Sequence, residues 1–340
     1  MEIIKIIIDD KFPSEIKKQA EEQNKNIEFS PIWQSIEWNI MLQNTAYIEK
    51  GIFVGIFDSF ELVNFVIIEK RSIGFKKYGN FIIGGPNNNK YIEELELEII
   101  NIGKEEDVIF TQIESLNEIE LKIFKSGVFK KFIEKCTAII NLSEGKDIIL
   151  SKMKQKGRYN IKIAEKNNVI VSRVENSSEN IENFYNLLTE TKERDSFNVN
   201  SKAYFEKLLK YLYENNLGAL YLASKDNELI AGGIFVNYLN TTYYYYGAST
   251  SDNEKRKYMA TYLLQWKVIE DSIEKGMQNF DFLGITCPGD KSTKLAGVTD
   301  FKLKLTSEIK IWPSPNIFVH KNLIYLLFKL KIAIKGIIKK

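Results

Sequence analysis

The stretch Thr241-Thr242-Tyr243-Tyr244-Tyr245-Tyr246-Gly247-Ala248 constrains the fold of this 340-residue chain more than any other. Two threonines followed by four tyrosines favour an extended strand, because β-branched and aromatic side chains suit a pleated surface. Ser249 to Asn253 then read as a turn. Lys255 to Lys275 read as a helix, with Met259, Leu263, Trp266 and Ile273 at helical spacing. Gly276 fits the helix stop, where a left-handed residue is wanted and glycine has no Cβ to clash. Phe280-Asp281-Phe282-Leu283 is the next strand. Strand, turn, helix and strand in this order make a βαβ unit, whose two strands should be parallel neighbours.

In acetyltransferases of the Gcn5-related kind, the turn before such a helix carries Arg/Gln-x-x-Gly-x-Gly/Ala. Its glycines let backbone N–H groups approach the pyrophosphate of coenzyme A at the helix N-terminus. The corresponding run here is Arg256-Lys257-Tyr258-Met259-Ala260-Thr261, with Met259 and Thr261 in place of the glycines. The unit therefore has the outline of an acyltransferase without the coenzyme A cradle, and no cofactor is expected.

Strands and helices alternate on both sides of this unit, which argues α/β or α+β with mixed sheets. Leu142-Ser143-Glu144-Gly145 reads as a hinge, giving domains 1–144 and 145–308, with 309–340 returning to complete the first. A net charge of +2 supplies no global basic field, so a nucleic-acid contact needs a local patch. One histidine, His320, all but excludes a His-rich metal site or a serine–histidine triad. Two cysteines, Cys136 and Cys287, do not make a disulfide framework, and a reducing cytoplasm is the default expectation. The N-terminus has no signal-peptide pattern, and no apolar run approaches the ~20 residues that span a bilayer.

Three blocks resemble the FemABX peptidyltransferases, which build peptidoglycan cross-bridges. The first is Met153-Lys154-Gln155-Lys156-Gly157-Arg158-Tyr159-Asn160-Ile161-Lys162-Ile163-Ala164-Glu165-Lys166. The second is Tyr245-Tyr246-Gly247-Ala248-Ser249 with Tyr262-Leu263-Leu264-Gln265-Trp266. The third is Asp281-Phe282-x-Gly284-Ile285, then Leu295-Ala296-Gly297-x-x-x-Phe301-Lys302. The resemblance implies two acyl-CoA-N-acyltransferase (GNAT-like) domains packed face to face. It implies transfer of an amino acid from aminoacyl-tRNA to the stem-peptide amine of UDP-MurNAc-pentapeptide or a lipid-linked muropeptide. A tRNA ester replacing the coenzyme A thioester also accounts for the lost glycines.

By this resemblance Lys302 is the catalytic residue, a fixed ammonium beside the oxyanion of ester aminolysis. It is expected on a strand, with Lys304 on the same face. Arg194 is expected to grip a precursor phosphate, with an ion pair to Asp195 or Glu193 as the competing account. Tyr246, Phe301, Trp38 and Asn89 join it as substrate-binding residues. Arg158, Lys154 and Lys304 are expected to meet tRNA, against the plainer account of a solvated basic helix face. The chain departs from the family where Arg-Gly-Pro-x-x-Asp becomes Gly84-Gly85-Pro86-Asn87-Asn88-Asn89, and where Leu305-Thr306-Ser307 replaces Phe-Gly-Gly. These departures keep two alternatives open: a coenzyme A-dependent N-acyltransferase and a non-catalytic binding member. The tail from Lys321 to Lys340 sets its lysines on one half of a helical wheel and Leu323, Leu326, Leu327, Leu330, Ile334 and Ile337 on the other. It either rests on an anionic membrane or packs its apolar face on the first domain. The expected location is the cytoplasm, peripheral on the inner membrane face if the tail takes the first course.

Overall fold

Near-continuous apolar runs in 50–58 and 61–74 suit strands buried on both faces, and the long hairpin they form lies within the sheet of the first of two units. A computed structural model describes residues 1–195, 197–290 and 295–338, with side chains described as far as Lys331. Ser196 and the side chains of Ile334, Lys335, Ile337 and Lys339 thus lie outside the described residues.

In chain order the first unit contains β1 (Glu2–Ile7), α1 (Ser14–Lys25), α2 (Ile36–Asn44), β2 (Lys50–Asp58), β3 (Glu61–Gly74), β4 (Lys77–Gly84), α3 (Ile92–Glu105), β5 (Phe110–Ser115) and β6 (Lys125–Ser126). The second contains β7 (Cys136–Asn141), α4 (Lys146–Lys152), α5 (Gln155–Lys166), β8 (Ile170–Arg173), α6 (Ser178–Asp195), α7 (Lys202–Glu214), β9 (Gly218–Lys225) and β10 (Glu228–Tyr238). It continues through β11 (Thr241–Ser249), α8 (Asn253–Arg256), α9 (Ala260–Glu274), β12 (Asn279–Ile285), α10 (Ala296–Leu305) and β13 (Glu308–Ile311). The chain then returns to the first unit for β14 (Asn316–Val319) and α11 (Asn322–Ile338).

Each unit is built on a seven-stranded mixed sheet, ordered β1-β2-β3-β4-β5-β14-β6 and β13-β7-β12-β11-β10-β9-β8. One parallel contact in each, β4 with β5 and β11 with β12, comes from a crossover through α3 or α9. The units divide as 1–133 with 312–340, and 134–311. The chain crosses between them before β7, not at Leu142–Gly145, because β7 pairs with β12 and β13 of the second sheet. Gly145, at φ +81°, is the N-cap of α4.

Three further expectations change. The helix expected over Lys255–Lys275 is two helices, α8 and α9, with Met259 left-handed at φ +57° between them. Gly276, at φ +74°, ends α9 as its lack of a Cβ suggested. Residues 296–305 are helical, so Lys302 is on α10 and not on a strand. Cys136 and Cys287 form a disulfide within the second unit, pinning the loop after β12 to the start of β7.

Candidate functional site

β11 and β12 run parallel only from Thr241–Asn279 to Tyr243–Asp281, although the strands continue to Ser249 and Ile285. Beyond that register they part, and the opening is where the chemistry-bearing side chains gather. β12 carries a bulge between Asp281 and Gly284, with Leu283 left-handed at φ +58°. The bulge leaves Phe282 and Leu283 without a partner in the register to β7, which resumes at Gly284 opposite Thr137. Lys302 of α10 fills that gap, its Nζ donating to Gly284 O at 2.8 Å and Leu283 O at 3.2 Å. An ammonium has three donors; the third has no acceptor among the described residues.

Lys302 is 6% exposed, and burial pulls its ammonium down to about 8, with the charge of Asp281 opposing. Asp281, likewise buried, accepts from the Thr137 hydroxyl and from Leu283 N–H at 2.7 Å. Burial lifts its carboxyl to about 6; the hydrogen bonds and Lys302 hold it from rising further. Between those two values both groups are charged. The site is thus a desolvated ammonium with a carboxylate two residues before the carbonyls that hold it.

Aromatic rings close the opening. Tyr244 of β11 stacks on Phe235 at 5.2 Å and meets Phe282 edge-on at 6.5 Å. Gly247 has no side chain because a Cβ would collide with the Tyr244 hydroxyl. Tyr262, in the first turn of α9, meets Phe301 edge-on at 5.0 Å. That turn is buried at Ala260, Tyr262 and Leu263.

Of the residues singled out in the sequence, Lys302, Phe301, Lys304, Lys154 and Arg158 come together. Phe301 packs on Tyr262 rather than facing an opening. Lys304 does not share a face with Lys302, since residues two apart on a helix point different ways; it pairs with Asp300. Lys154 donates its backbone N–H to Lys304 O at 3.2 Å while its side chain is exposed. The Arg158 guanidinium donates to the carbonyls of Leu150, Ser151 and Met153, ending α4.

The others lie elsewhere. Arg194 makes a two-pronged pair with Asp195 at 3.0 and 3.1 Å and donates to Ser249 O and Thr250 O, both at 3.1 Å. Its donors fasten α6 to the end of β11, so the ion-pair account describes it. Tyr246 accepts from Asn200 Nδ2 at 3.2 Å and meets Phe205 edge-on. Trp38 is 1% exposed on α2, part of the first unit's core and without a face for substrate. Asn89 is exposed and accepts from Glu120 N–H at 2.8 Å, ordering a loop. Sequence reasoning assigned no role to Asp281, Thr137 or Tyr244. Asp281 had a signal: a carboxylate flanked by two phenylalanines in a buried strand must be held by something.

A model of the FemAB family matches residues 20–228 and 219–312. Lipid II:glycine glycyltransferases from Staphylococcus epidermidis and Staphylococcus aureus are each 22% identical, over 254 and 258 residues. Each match takes in 56% of this chain, and 60% and 59% of the relatives respectively, less than two thirds of their length. A crystal structure of FemX superposes with a TM-score of 0.79 at 17% identity, covering 96% of this chain and 99% of that one. A tandem GNAT protein from the clavulanic acid biosynthesis pathway follows at 0.53 and 6%, covering 94% and 98%. These superpositions establish the fold: two GNAT-like units with mixed sheets.

Proposed function

This chain belongs to the FemAB family, and on that premise we propose that it moves an amino acid from aminoacyl-tRNA to the stem-peptide amine of a peptidoglycan precursor. The acceptor is a muropeptide carried on a nucleotide or on a lipid. The matched relatives, being named as glycyltransferases of lipid II, favour the lipid-linked form.

One observation carries this reading: the Lys302 ammonium, desolvated and held by two carbonyls at the parting of β11 and β12, with one N–H still to give. In the transfer, the acceptor nitrogen attacks the ester carbonyl and negative charge gathers on its oxygen. The C–O bond to the tRNA ribose then breaks, an amide forms, and the ribose oxygen leaves with a proton. No covalent enzyme intermediate and no histidine are needed. The free N–H of Lys302 supplies the fixed positive charge that the oxyanion requires, in a site from which water is largely excluded. At neutral pH a group titrating near 8 is still mostly an ammonium.

What favours an ester over coenzyme A is the sequence of the turn before α9, where Met259 and Thr261 stand in place of the phosphate-cradling glycines. The tRNA 3′ end is assigned to the place where α5 meets α10: the Lys154 side chain is exposed there, while Lys304 and Arg158 are engaged with Asp300 and the end of α4 and would have to exchange those partners for phosphate. The test is incubation with mixed aminoacyl-tRNA and both precursors, followed by mass analysis of the muropeptide. A product heavier by one residue supports the reading. No mass change with either acceptor, alongside micromolar binding of acetyl-coenzyme A, gives the site to a coenzyme A-dependent transferase.

A further inference from the structure

Of the two courses expected for the tail, α11 takes the packing one on a single side only. Tyr325 meets Phe110 edge-on at 5.7 Å, and Ile324, Tyr325 and Phe328 pack on the first unit's aromatic cluster. The opposite side leaves Leu323, Leu326, Leu327 and Leu330 at 73, 56, 58 and 52% exposure. A folded helix with four large apolar side chains in water on one side carries an exposed patch of the kind that marks an interaction site.

The patch continues across the β3–β4 turn. Phe75 there is held at φ +53° with its ring 73% exposed, a conformation bulky residues rarely adopt. Its ring meets Phe328 at 6.2 Å and lies under the Lys331 ammonium at 3.6 Å. Beside it opens a cavity of about 530 Å³ walled by Phe129 and Phe328 and bordered by Arg71, Lys130 and Lys331. Arg71 is paired with Glu69. Lys130 and Lys331 have no carboxylate partner among the described residues. Burial of its ammonium and the nearby Arg71 charge push Lys130 below its usual value. The segment 321–340 contains no Asp or Glu at all.

We propose that this face docks on an anionic phospholipid bilayer, the α11 leucines and Phe75 entering the interface and a lipid phosphate seating between Lys130 and Lys331. Apolar side chains beside unpaired cations match the two layers of such a surface: acyl chains below, phosphates above. Among the described residues no helix is long and apolar enough to cross a membrane, so the contact is with one face. The inference stands on the first unit alone and does not depend on the transfer chemistry.

Vesicle flotation of the full chain tests it, with phosphatidylcholine vesicles compared with mixtures containing phosphatidylglycerol. Wild type should float only with the anionic vesicles, and less in high salt. The Leu326→Glu/Leu327→Glu double variant should lose more than about tenfold in partitioning at unchanged melting temperature, since both side chains are already exposed. Lys130→Gln and Lys331→Gln should each cost about fivefold. Equal flotation of wild type and the leucine variant overturns the proposal, as does flotation indifferent to lipid charge. A concentration-dependent dimer in lipid-free sedimentation, abolished in the leucine variant, assigns the face instead to a second copy of the chain.

Discussion

Gly157 lies against the backbone carbonyl of Lys304, so that a Cβ at position 157 would come well under 3.0 Å from that oxygen. The contact seats the N-terminal turn of α5 on the end of α10, two residues beyond Lys302. A backbone carbonyl cannot rotate aside as a flexible side chain can. Gly157→Ala should therefore push the two helices apart and cost about 1–3 kcal/mol, as overpacked sites do. Urea unfolding would measure it. An unchanged midpoint would mean that α5 is free to shift, and that the first block is not what fixes the height of α10.

The disulfide gives a second expectation. Cys136 and Cys287 are 151 residues apart, so the bond closes a loop nearly as long as the second unit. Cross-linking a loop of that length removes unfolded-state entropy worth about 4–5 kcal/mol in the chain-entropy account. Titration with a thiol reagent should find no free thiol in the unfolded, unreduced chain and two after reduction. Cys287→Ser should lower the unfolding midpoint markedly. Two thiols titrating without reductant would show that the pair stays reduced.

The parallel neighbours β11 and β12 and the stop at Gly276 were legible because each rests on local chemistry. Crossover connection and a positive φ are set by neighbours in the chain. Lys302 stands out in the sequence, but its place on a helix does not. Phe301-Lys302-Leu303-Lys304-Leu305 alternates apolar and charged residues, the pattern of a half-buried strand. Packing overrides it, because Leu305 and Lys302 are both buried against the second sheet's helices and bulge. The break at Met259 has no sequence signal, since methionine is an ordinary helix former and only tertiary packing holds it left-handed. Nor can two cysteines 151 residues apart announce a bond. The site was least legible where it depends on Asp281, whose meaning comes from Thr137 on another strand.

Lys302 should also be visible in stability against pH, without any substrate. Its folded value is about 8 and its ordinary value 10.5. Between these the unfolded chain binds the proton and the folded chain does not, so raising the pH across that window favours folding. The penalty for burying the ammonium is complete below about 8 and gone above 10.5. Asp281 tilts the curve the other way at the acid end, because its folded value is raised from 3.8 to about 6. Denaturant midpoints from pH 7.5 to 10 should thus rise less in Lys302→Met than in wild type. Parallel curves would mean that the ammonium is better solvated than its 6% exposure indicates.

The catalytic prediction follows from the same ammonium. If Lys302 stabilises an oxyanion, Lys302→Ala should lower the turnover of the proposed transfer by about two to three orders of magnitude. The apparent affinity for aminoacyl-tRNA should change little, because the charge acts on the transition state and not on the bound ester. Lys302→Arg keeps a cation but cannot fit both carbonyls with the same geometry, and should recover part of the loss. Its activity should also persist at alkaline pH, whereas the wild type declines as its own ammonium titrates near 8. Lys304→Ala is the comparison: that side chain points away from the carbonyls of Leu283 and Gly284 and pairs with Asp300. It should raise the tRNA concentration needed for half-maximal rate and leave turnover nearly intact. A Lys302→Ala protein that folds, binds and turns over like wild type would reduce Lys302 to a clamp holding α10 on β12, and the opening between β11 and β12 would need another cation.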